Sequence, residues 1–167
     1  MNEAKLLAAV SVPWLQDAPF FLYQGVAHED KEATAGFAFV YKHQGNETLW
    51  LLVHVNSRGW DIPGGHLEAK DATPTPGVRR ELFEETGIAG HDIVLDREGT
   101  GYCVNRGGNK YPMHSTMLFY SAEAWEDGEV TTPEEVDELA WVTAAQVRDL
   151  CSTKPWLALF NAICDSK

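Results

Sequence analysis

The segment Arg80-Glu81-Leu82-Phe83-Glu84-Glu85-Thr86-Gly87-Ile88 places three carboxylates, Glu81, Glu84 and Glu85, at positions i, i+3 and i+4. If the segment is helical, all three stand on one face. Like charges at this spacing oppose one another by roughly 0.2 to 0.5 kcal/mol per pair. Their position close to the C-terminal end adds to that cost, because the helix dipole disfavours anions there. A hard divalent cation removes both penalties, since Mg²⁺ takes oxygen ligands and commonly bridges one or two carboxylates to substrate phosphates. The chemistry on offer is metal-assisted work on phosphates.

An acidic, solvated surface helix is the plainer account of a bare charge cluster. It leaves the rest of the segment unexplained. Arg80, the three glutamates and Gly87 are five specified residues in nine positions, a coincidence expected at on the order of one in a million sites from average composition. Upstream lies the Gly- and Pro-rich stretch Pro63-Gly64-Gly65-His66-Leu67-Glu68. Together these resemble the signature of the Nudix family: Gly, five residues, Glu, seven residues, then Arg-Glu-U-x-Glu-Glu-x-Gly-U, where U is a bulky aliphatic residue. The second half is complete here and Gly65 supplies the opening glycine. The match departs from the pattern at one place, where Gly65 and Arg80 are one residue too far apart. Counting forward puts Asp71 at the middle glutamate, and counting back puts Ala72 there, which predicts a one-residue insertion in the loop.

The resemblance implies a Nudix-type α/β/α sandwich with a mixed β-sheet, of the α/β (α+β) class, and a catalytic set made of Glu81, Arg80 and Glu84. Glu81, Glu84 and Glu85 would bind Mg²⁺, or alternatively Mn²⁺, with the backbone carbonyl of Gly64 as a further ligand. Arg80 would orient Glu81 through a salt bridge, and Glu81 would assist deprotonation of the attacking water. The family sometimes draws its general base or another ligand from a later loop. Glu134, Glu135 and Glu138 are the candidates here, and the sequence does not choose among them.

The surrounding elements must place that helix. Gly36–Tyr41 and Thr48–Val55 read as strands joined by a turn at Gln44-Gly45-Asn46, the pattern of a hairpin. The helix is predicted to begin near Thr73 or Thr75, each able to cap it with a Pro behind, and to stop at Gly87. Further strands are expected over Asp92–Leu95, Gly101–Val104, Met113–Ser121 and Leu139–Val142. Thr143 and Gln146 form a capping-box pattern opening a helix to about Cys151, and Trp156–Cys164 gives a second helical stretch. Residues 1–30 offer at best one strand, Phe20–Gln24, and read as an N-terminal extension to a single domain spanning 1–167.

Composition narrows the function. The chain has 167 residues, 44% of them hydrophobic, enough for one domain with a sizeable core. Its formal net charge of -12 would repel nucleic acid and acidic membranes. Cys103, Cys151 and Cys164 are odd in number and form no Cys-x-x-Cys pair, so neither a disulfide framework nor a zinc site is indicated, and a reducing cytoplasm is the expected location. The run Leu6 to Val12 after Lys5 is read as mature sequence rather than a signal peptide, given Glu3 before it and Pro13 and Asp17 behind. No uncharged apolar run reaches the roughly 18 to 20 residues that span a bilayer.

The expected activity is hydrolysis of a small nucleotide-like phosphoanhydride, first a (d)NTP or modified NTP, with ADP-ribose, a nucleotide sugar or a dinucleoside polyphosphate as alternatives. A non-catalytic nucleotide sensor is the reading from another class. A diphosphate isomerase ranks last, because it needs a catalytic Cys and Cys103 reads as a packed thiol. For substrate contacts, Arg58, Arg97, Arg106 and Lys110 could meet phosphates but read first as solvated cations. Trp60, Tyr102 and Tyr111 could stack on a base, Trp60 being the best placed. His66 could reach a phosphate. Homodimers are common in the family, with no interface legible here.

Overall fold

A computed structural model of the chain describes residues 4–12, 18–26, 33–68, 74–88, 93–104 and 114–167, with the side chain of His114 excepted. Among the described residues nine strands form one mixed sheet: β1 Lys5–Val12, β2 Ala18–Gln24, β3 Ala33–Gln44, β4 Glu47–Val55, β5 Gly59–Asp61, β6 Gly64–His66, β7 Asp96–Val104, β8 His114–Glu123 and β9 Val136–Val142. The helices are α1 Pro74–Thr86, α2 Ala144–Leu150 and α3 Leu157–Ile163, followed by a 3₁₀ turn at Cys164–Ser166. The sheet order is β1-β2-β7-β8-β3-β4-β5, with β6 on β3 and β9 on β4. β3 runs parallel to β8, and the other pairings are antiparallel.

Alternation along the central strands sends successive side chains to opposite faces. Phe39, Trp50, Leu52 and Phe119 enter one apolar cluster with Val147 of α2 and Leu159, Phe160 and Ile163 of α3. Ala38, Val40, Leu51, Leu118 and Tyr120 enter the other, with Val78 and Leu82 of α1 and Ile88 beyond it. Helices therefore cover both faces, as expected for an α/β/α sandwich.

The hairpin turns at Gly45–Asn46, with Gln44 opposite Glu47. β3 and β4 are paired to each other only from Tyr41–Trp50 to the turn. Beyond it they part, and the gap takes β5 on β4 and β6 on β3. Residues 62–63 link these two short strands, and Pro63 O accepts from Ala38 N at 3.0 Å. This wedge fixes the Pro-Gly-Gly loop under the N-terminal half of β3.

Three expectations were displaced. The apolar run Leu6 to Val12 is part of β1, and residues 18–24 form β2, which pairs with β7 and buries Phe20 and Leu22. Residues 93–95 are irregular and β7 starts at Asp96. β9 begins at Val136, ahead of the expected Leu139. The positions that would decide the loop insertion, Asp71 and Ala72, lie outside the described residues, as do Thr73, Arg106, Lys110 and Tyr111.

Candidate metal centre and substrate cleft

Helix α1 ends as its sequence predicts. Gly87 takes φ +71° and its N–H donates to Phe83 O at 2.8 Å, a left-handed stop that costs a glycine little. Carbonyls of the last turn find partners in a downstream loop. Glu84 O accepts from Thr132 Oγ1 at 3.2 Å and also from Thr131 Oγ1, while Thr86 O accepts from Glu129 N at 2.7 Å. The acidic end of the helix is thus held by the segment that continues into Glu134 and Glu135.

Two of the three glutamates lean on the Pro-Gly-Gly loop. Glu85 is only 5% exposed, and its Oε1 accepts from Gly64 N at 2.9 Å. Burial pushes its carboxyl up to about 8, with Glu81 and Asp61 adding to the rise, while the Gly64 bond and the Arg58 guanidinium oppose it. Glu81 lies against Gly65 so closely that a Cβ there would stand 2.8 Å from its Cδ. Its carboxyl is also raised, by burial first and then by Glu84 and Glu135, against the pull of Arg80. Glu84 is half exposed, at 50%.

Arg80 stands among these groups. Its Nη2 is 3.4 Å from Glu81 Oε1 and from His66 O, its Nε is 3.8 Å from Glu84 Oε1, and its Nη1 is 3.8 Å from Glu68 Oε2. Its contact with Glu81 is the pairing expected of it. Among the described residues no three carboxylate, imidazole or thiol groups converge at metal-ligand spacing. The donor chemistry still fits Mg²⁺ or Mn²⁺, since all the groups offered are hard oxygens. Glu85 is buried and Glu81, one turn away, is partly buried, and desolvation and mutual repulsion both disfavour their charged forms. Gly64, whose carbonyl the family resemblance nominates as a further ligand, meets Glu85 through its N–H.

Of the three later acids, Glu135 acts on Glu81 electrostatically. Its backbone is positioned by Asn56, whose N–H donates to Glu135 O at 3.1 Å and whose Nδ2 donates to Glu134 O at 2.7 Å. Glu138 lies in β9 opposite His54.

A cleft of about 520 Å³ opens beside Gly65 and His66. Phe37, Met117, Phe119 and Trp156 give it an apolar floor, and Arg58, Asp61 and Lys154 form a polar wall. Arg58, read first from the sequence as a solvated cation, and His66, read as able to reach a phosphate, both line the cleft. Trp60 does not line it: its ring packs edge-on to His54 at 5.1 Å. Arg97 donates to Gly99 O and Thr100 Oγ1, within its own strand. Tyr102 is half buried on β7 and is not among the lining residues. Asp61, Lys154 and Trp156 were missed. The one sequence signal was a carboxylate set between Trp60 and Ile62, where a charge must be buried or paired.

Residues 31–160 match the NUDIX domain. The chain belongs to the NUDIX family. A stretch of 40 residues is 48% identical to a MutT-like protein of Streptomyces ambofaciens, covering 24% of this chain and 25% of that one. The chain thus spans about a quarter of the length of the curated relatives it matches. Among solved structures, the fold is similar to a C. elegans Ap4A hydrolase in a binary complex, with a TM-score of 0.65 at 16% identity over 81% of this chain and 99% of that one. It also resembles the E. coli dihydroneopterin triphosphate pyrophosphohydrolase, with a TM-score of 0.57 at 16% identity over 78% and 94% of the two chains. The isomerase alternative is disfavoured on local grounds. Cys103 is fully buried and its thiol is pushed up by burial, which makes it a packed group rather than an acid or nucleophile.

The contact between Gly65 and Glu81 yields a prediction. In Gly65→Ala the new methyl displaces the far end of a flexible side chain rather than backbone. Turnover should fall about 10- to 100-fold, while stability changes by less than about 1 kcal/mol. Turnover measured beside a thermal melt checks both halves.

Proposed function

We propose that this NUDIX-family hydrolase cleaves a phosphoanhydride bond in a small nucleotide, with Mg²⁺ held by Glu81, Glu84, Glu85 and the Gly64 carbonyl. The observation that carries this reading is the placement of Glu85 and Glu81 against Gly64 and Gly65, the latter lining a cleft with an apolar floor and a polar wall that holds Arg58 and Lys154. A divalent cation bound there would neutralise the bridging phosphates and stabilise charge on the leaving phosphate. The remaining work falls to the chain itself. Arg80 contacts Glu81 through Oε1, leaving Oε2 as the atom to take a proton from the attacking water. Its raised proton affinity suits a general base better than an ordinary solvated carboxylate. The aromatic floor offers a base a stacking surface, and Arg58 offers donors to phosphate oxygens.

Glu135 is the preferred assistant from the later loop, because it shares a field with Glu81. Glu135→Gln should lower kcat about tenfold and Glu134→Gln less than about threefold, as compared by steady-state kinetics at saturating Mg²⁺. Equal effects would remove Glu135 from the site.

The substrate class favoured is a (d)NTP or modified NTP. The test is incubation with a panel of nucleoside triphosphates, ADP-ribose, nucleotide sugars and dinucleoside polyphosphates, with Mg²⁺ or EDTA, following released phosphate and pyrophosphate. Metal-dependent turnover of one class supports the proposal. If every substrate stays intact while a nucleotide raises the melting temperature, a nucleotide sensor replaces it.

A further inference from the structure

Asp61 is 7% exposed, and its carboxylate meets Arg58, Lys154, Trp156 and the Ile62 N–H. Oδ2 meets Arg58 Nε at 2.9 Å and Lys154 Nζ at 3.5 Å. Oδ1 accepts from Trp156 Nε1 and from Ile62 N, each at 2.8 Å. Lys154 Nζ also donates to Arg58 O at 3.3 Å. Three separate segments therefore meet at one buried carboxylate: the β4–β5 loop, the start of the Pro-Gly-Gly loop, and the connection between α2 and α3.

Asp61 is contacted by two cations, which leaves one positive charge in excess within the contact itself, with Glu85 the next acid in the field of Arg58, in a chain whose net charge is -12. A purely structural ion pair needs only one cation, and a buried one gains little net stability. Here both cations line the cleft, and the Arg58 side chain remains 45% exposed. Only Nε of Arg58 is engaged with Asp61, and a guanidinium has further N–H donors in a fork that matches phosphate.

We propose that Arg58 and Lys154, tethered on Asp61, form a second anion subsite that receives a phosphate beyond the scissile anhydride. The hydrolase would accordingly prefer nucleoside tri- and polyphosphates over two-phosphate substrates such as ADP-ribose. This rests on the hydrolase reading above for its substrate, but not for its binding site. A terminal phosphate brings charge that the surplus cation rewards, whereas a terminal ribose brings none. Asp61 is a positioning residue, setting where the two cations stand.

The test compares kcat and KM for ATP and ADP-ribose, with Mg²⁺, in the wild type and in Lys154→Met and Arg58→Met. Loss of a charge-assisted phosphate contact should raise KM for ATP about tenfold in each variant, and KM for ADP-ribose by less than about threefold. Lys154→Arg should recover most of the ATP effect, which a fold defect would not allow. Equal losses on both substrates, or none, would overturn the subsite. Should the wild type hydrolyse nothing, calorimetry of inorganic tripolyphosphate in EDTA decides the matter alone. Binding weakened about tenfold in both Met variants upholds the subsite, and binding that is absent or unchanged overturns it.

Discussion

Glu85→Gln is expected to abolish Mg²⁺-dependent turnover by about 10³-fold or more while making the metal-free protein more stable at alkaline pH. The activity loss corresponds to about 4 kcal/mol of transition-state stabilisation, the scale a metal ligand supplies. The stability gain follows from linkage. Glu85 has an ordinary value of 4.5 and is pushed up to about 8 in the fold, so the folded protein holds a proton that the unfolded chain releases. Its contribution is fully present below about pH 4.5 and is lost as the pH rises to about 8. Between pH 5 and 8 the metal-free wild type should lose about 3 to 4 kcal/mol from this group. Glutamine keeps an oxygen for the Gly64 N–H and has no proton to lose, so the variant should show a flatter profile. At pH 8 it should melt roughly 6 to 12 °C above the metal-free wild type. Saturating Mg²⁺ should close that gap by stabilising only the wild type. Thermal melts at pH 5 and 8, with Mg²⁺ or EDTA, check each arm, and a wild-type profile as flat as the variant's would contradict the burial argument.

Gly64→Ala should damage both fold and activity. Gly64 has φ +152°, and a Cβ there would stand 2.3 Å from Gly36 O and 2.5 Å from Phe37 Cδ1. The strained dihedral and the overpacking each cost about 1 to 3 kcal/mol. The backbone has little freedom to yield, because Gly64 is opposite Phe37 in the β3–β6 pairing and Pro63 O is bonded to Ala38 N. A loss of about 3 kcal/mol or more in denaturant unfolding is expected, together with a fall in turnover of about 100-fold as the N–H that holds Glu85 moves. The neighbouring Gly65→Ala should lose activity with little loss of stability. If the two alanine variants melt alike, the loop does not hold the carboxylates as described.

The site was legible where its signals are local. The spacing of Glu81, Glu84 and Glu85, the stop at Gly87, the turn at Gly45 and the Thr143–Gln146 capping box are decided within a few residues, and the structure holds each of the last three as read. What escaped was decided across the chain. β7 opens with Asp-Arg-Glu-Gly-Thr-Gly, a poor strand sequence by propensity. It is made a strand by β2 and β8 on either side, and its glycines fit because a Cβ at Gly101 would meet Phe20 at 2.4 Å. β2 in turn could not be weighed without β7. Asp61 reads as an ordinary loop acid until Lys154 and Trp156, more than ninety residues later, are brought onto it. Phe37 reads as core from its strand, yet it lies on the cleft floor.

The most direct test of the central claim is turnover of the best nucleotide substrate by wild type and Glu81→Gln at saturating Mg²⁺, with unfolding measured in parallel. A loss of about 100-fold or more in kcat with an intact fold is the predicted result. Equal turnover by the two proteins would contradict the assignment of this helix face as the catalytic centre.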